Sequence, residues 1–152
     1  MTPCPSINRH VQVCYFVNSG SEANDLALLM ARVYSGNKDI VCLRNCYHGV
    51  SLGTMPGCGH STWRHDVGTS GMLHAMNPDP YRGAFGADSE AYANDLQDLV
   101  RAGSSGRLAG FLAETIQGVG GAVPLADGYL PKAYEVCCAC SACWMCQVSI
   151  CL

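Results

Sequence analysis

A chain of 152 residues, 49% hydrophobic and 14% charged, is long enough for one globular domain with a sizeable core, and is lean in surface charge. Its net charge of −3 and its lack of any Lys/Arg cluster exclude a basic face for nucleic acid. The first ten residues hold Arg9 and His10 but neither an apolar h-region nor an Arg-rich amphipathic pattern, so no signal or transit peptide is expected there.

In chain order, Val11 to Val17 has the β-branched and aromatic content of a buried strand. Asn18-Ser19-Gly20-Ser21-Glu22-Ala23-Asn24 follows, and then Leu26, Leu29, Met30 and Val33 at helical spacing. Ser19 and Glu22 form S-x-x-E, the capping-box arrangement in which hydroxyl and carboxylate each satisfy an orphan amide. Strand, glycine turn and capped helix together aim free N–H groups and a positive dipole end at one spot, an anion site suited to phosphate. An ordinary helix start has the same pattern, and the residues alone do not separate the two. Ser35-Gly36-Asn37 is a turn, and Asp39–Leu43 reads as the next strand. Residues 53–87, rich in Gly, Pro, His and Asn, read as a long irregular excursion. Asp88 to Ala102 is helical, with Leu96, Leu99 and Val100 apolar and Gly103 as its C-cap. Leu108 to Ala113 is a continuous apolar strand of the kind covered on both faces. Alternation of this kind predicts an α/β fold with a mostly parallel sheet.

In such a fold ligands gather beyond the carboxyl ends of the strands. Gly20 and Ser21, Tyr47, and Glu114 with Gln117 follow the first, second and third predicted strands. Four segments in order also carry a resemblance. Ser19–Asn24, Asn45-Cys46-Tyr47-His48-Gly49, Asn77-Pro78-Asp79-Pro80-Tyr81-Arg82-Gly83 and Glu114-Thr115-Ile116-Gln117-Gly118-Val119 resemble motifs of the class III aminotransferases, with Thr115 at a usual proline. The third segment is similar to the mitochondrial alanine–glyoxylate aminotransferases of the second type, especially the plant forms. The resemblance runs from about Val13 to Val136 and implies part of the large domain of a fold type I transferase that uses pyridoxal 5'-phosphate. By the same resemblance, Ser19, Gly20 and Ser21 hold the cofactor phosphate, Tyr47 stacks on its ring and His48 shapes the turn. Glu114 and Gln117 then lie on the substrate side. The implied substrates are an amino acid such as alanine and an oxo acid such as glyoxylate. Homodimers and a mitochondrial address are implied too; neither nucleic acid nor membrane is an expected partner.

Transamination needs a lysine that anchors the cofactor and moves its proton, and a carboxylate opposite the pyridine nitrogen. The two lysines, Lys38 and Lys132, lie outside any family-like context. The Asp-Glu motif expected after Val136, beyond a short helix and a strand, does not appear. Instead, six of the 11 cysteines fall within 137–152. Cys140, Cys143 and Cys146 have metal-ligand spacing but no clean second pair, so no metal is assigned. The chain therefore divides into a partial cofactor-binding domain at 1–136 and an unrelated Cys-rich tail at 137–152. The expected function is that of an aminotransferase portion inactive by itself. The alternative is a non-catalytic product that binds a partner subunit or a metal.

Overall fold

The computed structural model describes residues 13–65 and 71–140, and the backbone of 143–147. Helix α1 (Gly20–Ser35) starts at the expected cap: Ser19 Oγ accepts from the Glu22 amide, 3.2 Å away. The reciprocal bond reaches one residue further back than a standard box, since Glu22 Oε2 accepts from the Asn18 amide at 2.7 Å. Gly36 closes the helix at φ 67°, a left-handed conformation that favours glycine.

Strand β1 (Ile40–Leu43) is wholly buried and pairs in parallel with β2 (Met72–Ala75) and with β3 (Gly110–Glu114). Helix α2 (Ser89–Gly103) connects β2 to β3 and begins where Asp88 accepts from the amides of Glu90 and Ala91. Gly103 is its last helical residue, and the C-cap is Ser104. After β3 comes a small antiparallel pair, β4 (Ile116–Gln117) and β5 (Val123–Pro124). Helix α3 (Tyr129–Ala139) then leads to β6 (Cys143–Gln147), parallel to β3. The sheet order β2-β1-β3-β6 is that of an α/β parallel sheet, as the alternation of elements predicts.

One core joins the sheet to its helices. Leu28 and Ala31 of α1, Tyr92, Leu96 and Val100 of α2, and Tyr129, Ala133 and Cys137 of α3 share a buried cluster with Ile40–Leu43 and Phe111–Ala113. Every residue of β1 and β3 is buried, which requires cover on both faces.

Two expectations change. Val13–Val17 forms no strand, and Phe16 is 93% exposed; Val11 and Gln12 lie outside the described residues. β-rich composition is not sufficient without a neighbour to complete the hydrogen-bond ladder, and no described strand runs beside this segment. The excursion at 53–87 is not wholly irregular, because β2 lies inside it. Met72-Leu73-His74-Ala75 holds no β-branched residue, so its strand identity comes from pairing with β1. The 136/137 boundary falls inside α3, and Cys137 is a core residue.

Candidate functional site

The candidate residues meet at the carboxyl ends of β1 and β3, beside the start of α1. Residues 44–50 make the junction. Tyr47 donates its amide to Glu114 Oε1 at 2.8 Å, while Gly118 donates to Glu114 Oε2 at 2.9 Å. The carboxylate of Glu114, 1% exposed, thus clamps the loop after β1 to the turn after β3. Gln117 is clamped in turn: Oε1 accepts from Asn45 Nδ2 at 2.9 Å and Nε2 donates to the Arg44 carbonyl at 3.1 Å. Both side chains are buried and hold the two loops together, as buried polar groups with satisfied partners do.

On its other side the same loop touches α1. Asn24 Nδ2 donates to the His48 carbonyl at 2.9 Å, and His48 itself is buried. Gly49 has φ 112°, and a Cβ there would overlap Ser21 Oγ, so glycine is required for both conformation and space. Gly53 packs comparably close to Asp25 Oδ1. Ser21, Tyr47, His48, Glu114 and Gln117 therefore belong to one connected set, and Ser19 and Gly20 join it through the first turn of α1. Asn24, Asn45 and Gly49, which complete it, have as sequence signals only the amide-rich helix start and the glycine after Tyr47-His48. Trp63 completes it differently, edge-on to Tyr47 with ring centroids 5.6 Å apart; an isolated loop tryptophan gives no sequence signal.

Neutral thiols line the back of this region. Burial, above all, pushes Cys42, Cys46 and Cys58 above the ordinary thiol range, and the hydrogen bond from the His48 amide only partly opposes this at Cys58. No thiolate nucleophile is offered at neutral pH. Among the described residues no group of three or more His, Cys, Asp and Glu could hold a metal ion, and no helix is long and apolar enough to cross a membrane. The side chains of Cys143 and Cys146 lie outside the described residues.

Both lysines are away from this end of the sheet. Lys38 precedes β1 at its amino end, six residues before Arg44, or about 20 Å of extended chain. Lys132 on α3 pairs with Glu90 of α2 at 2.7 Å. The strand after α3 ends at Gln147, in register with Glu114.

A family profile described as Aminotransferase class-III matches residues 6–143. The chain belongs to this family. It is 55% identical over 125 residues to a protein of Arabidopsis thaliana named alanine–glyoxylate aminotransferase 2 homolog 2, mitochondrial; the match covers 82% of this chain and 26% of the relative. It is 34% identical to the human protein named alanine–glyoxylate aminotransferase 2, mitochondrial, over 83% of this chain and 29% of the relative. A PLP-bound amine transaminase from an uncultivated Pseudomonas species superposes with a TM-score of 0.77 at 27% identity, over 86% of this chain and 32% of that one. The class III chain thus spans about a quarter to a third of the length of these relatives. Pyridoxal 5'-phosphate is the cofactor of the family.

The residues at the start of α1 fit a phosphate. The amides of Glu22 and Ala23 already have acceptors in Ser19, and Glu22 turns its carboxylate back onto Asn18. A helix start leaves the preceding amides, those of Gly20 and Ser21, without intrahelical acceptors. A Cβ on Gly20 would meet nothing within 4 Å, so the approach to these amides is open.

Proposed function

We propose that this chain forms the phosphate-and-ring pocket of a class III aminotransferase that moves an amino group from alanine, or a related amino acid, to glyoxylate or another oxo acid. The observation that carries the reading is the seat of Gly49 on Ser21, which sets the Tyr47-His48 turn directly against the helix start. When bound, pyridoxal phosphate supplies an electron sink for the bonds at the amino acid's α-carbon. The amides of Gly20 and Ser21 and the Ser21 hydroxyl bind the phosphate, with the helix dipole favouring its charge. Tyr47 presents its ring to the cofactor's face, and Trp63 limits the tilt of that ring through their edge-on contact. His48 fixes the turn through its carbonyl, while Glu114 and Gln117 keep the two strand-end loops at a constant separation. All of these side chains lie between Ser19 and Gln117.

The reading includes binding without turnover by the 152-residue chain alone, since Lys38 and Lys132 both lie away from the pocket. Dimerisation and a mitochondrial location are part of the same proposal, supported by the printed names of the relatives in the second case. The test is titration of the purified chain with pyridoxal phosphate, followed by borohydride reduction and peptide mapping. Saturable binding that weakens at least about ten-fold in Gly20→Val and Ser21→Ala, without alanine–glyoxylate turnover, is the expected result. Gly20→Val is a clean probe because open space surrounds that position. Equal binding by all three proteins removes the pocket from consideration, and a stoichiometric label at either lysine with turnover removes the claim of inactivity.

A further inference from the structure

A cavity of about 760 Å³ opens beyond the carboxyl ends of β1 and β2, with the loop between β4 and β5 as its third wall. None of Ser19, Gly20, Ser21, Tyr47, His48, Glu114 and Gln117 lines it. Its volume is that of a metabolite site, and its position is where parallel sheets place ligands. Two cations, Arg44 and Arg82, line it, against one carboxylate, Asp79. Asp79 Oδ1 accepts from the amides of Tyr81 at 2.8 Å and Arg82 at 3.1 Å, which leaves the wall with one net positive charge. Among the described residues neither guanidinium has a carboxylate within ion-pair distance. Asn77, also on the wall, has an enclosed Oδ1 with no hydrogen-bond donor.

The walls are fixed in place by bonds that leave these groups unused. Arg44 is held through its backbone, whose amide donates to the Ala75 carbonyl at 3.0 Å and whose carbonyl accepts from Gln117. Arg82 lies over the Tyr81 ring, 5.6 Å from its centroid. The loop bearing it is tied down where the buried Tyr92 hydroxyl donates to the Asp79 carbonyl and accepts from the Phe85 amide. Gly83 leaves no room for a Cβ between Tyr92 Oη and the Asp79 carbonyl. A rigid wall with two guanidiniums to spare is suited to planar or tetrahedral oxyanions, which the guanidinium fork engages in pairs of charged hydrogen bonds.

We propose that this cavity binds a small organic oxyanion, a carboxylate or phosphate, held by Arg44 and Arg82. The site stands independently of the cofactor pocket. The test is calorimetric titration of the 152-residue chain with L-malate and, separately, with inorganic phosphate. Malate binding at millimolar concentration or tighter is expected, weakened about ten-fold or more in each of Arg44→Gln and Arg82→Gln and unchanged in Gly20→Val. Both arginines are exposed, so neither substitution disturbs the core, and matched circular dichroism spectra check this. Asn77→Asp, which sets a second carboxylate on the wall, is expected to reduce binding of both anions. Stronger binding of phosphate than malate in the arginine-dependent mode assigns the site to phosphate esters, and the reverse assigns it to carboxylates. The proposal is overturned if neither anion binds the folded chain, or if binding is lost in Gly20→Val and kept in both arginine variants.

Discussion

Replacing Glu114 with glutamine tests whether its carboxylate is a clamp or a substrate-facing group. The side chain keeps its shape, but only one oxygen remains as an acceptor for the two amides of Tyr47 and Gly118, at 2.8 and 2.9 Å. The new NH₂ faces an N–H, so one buried donor loses its partner. Hydrogen bonds to charged groups contribute about 1.5–3 kcal/mol and an unsatisfied buried donor costs about 1–3 kcal/mol, so the substitution is expected to cost about 3 kcal/mol. With a urea m-value of about 2 kcal/mol/M, the midpoint of unfolding falls by about 1.5 M. Glu135→Gln on the exposed side of α3 is the control and is expected to shift stability by no more than about 0.5 kcal/mol. Urea unfolding followed by circular dichroism measures both, and hydrogen exchange at the Gly118 amide gives a local readout that rises with Glu114→Gln. A midpoint shift as small as the control's, with Gly118 protection intact, would refute the clamp.

Gly49→Ala combines a left-handed φ with overlap on Ser21, and is expected to destabilise by about 1–3 kcal/mol and to weaken pyridoxal phosphate binding in parallel; Gly20→Ala is expected to leave stability unchanged. Leu96→Ala removes a fully buried side chain from α2 and is expected to cost about 2–5 kcal/mol in thermal or urea unfolding. Burial lowers the pKa of His74, so the unfolded chain takes up a proton near pH 6.5 before the native chain does. Stability is therefore lost as pH falls from 6.5 toward the native pKa, and a flatter acid limb in His74→Gln measures this contribution. At alkaline pH the sign reverses: burial pushes the Cys137 thiol up to about 12, so from pH 9 upward its ionisation in the unfolded state lowers stability, and the fall is shallower when Cys137 is replaced by alanine.

Local chemistry made some of this fold legible from residues alone. Ser19, Gly36 and Asp88 signal helix ends through groups that bond within the same turn, and those ends stand within a residue of expectation. Ile40–Leu43 and Phe111–Ala113 are apolar at every position, and only a strand covered on both sides uses such a run. What pairing decides was not legible. Met72–Ala75 is a strand because β1 lies beside it, and Val13–Val17 is not one because no described strand does. The same limit applies to the site: Glu114, Gln117 and Tyr47 were placed at one end of the sheet, but the direction of the Glu114 carboxylate depends on amides 67 and 4 residues away. Sequence separation hides that partnership.

The strand order also governs how quickly the chain finds its structure. Ile40 pairs with Met72 across 32 residues and with Gly110 across 70. Closing the longer loop costs about 0.7 kcal/mol more in chain entropy, a factor of roughly three in the population of the closed form. The β1–β2 pair is thus the earlier ladder, and β3 joins by inserting its edge against β1 once α2 has doubled the chain back. All three ladders of the parallel sheet are non-local, which places folding toward the slow, high-contact-order regime of milliseconds to seconds. During that interval the free edge of β1 stays open to a neighbouring chain, the kind of unpaired edge through which folding chains associate.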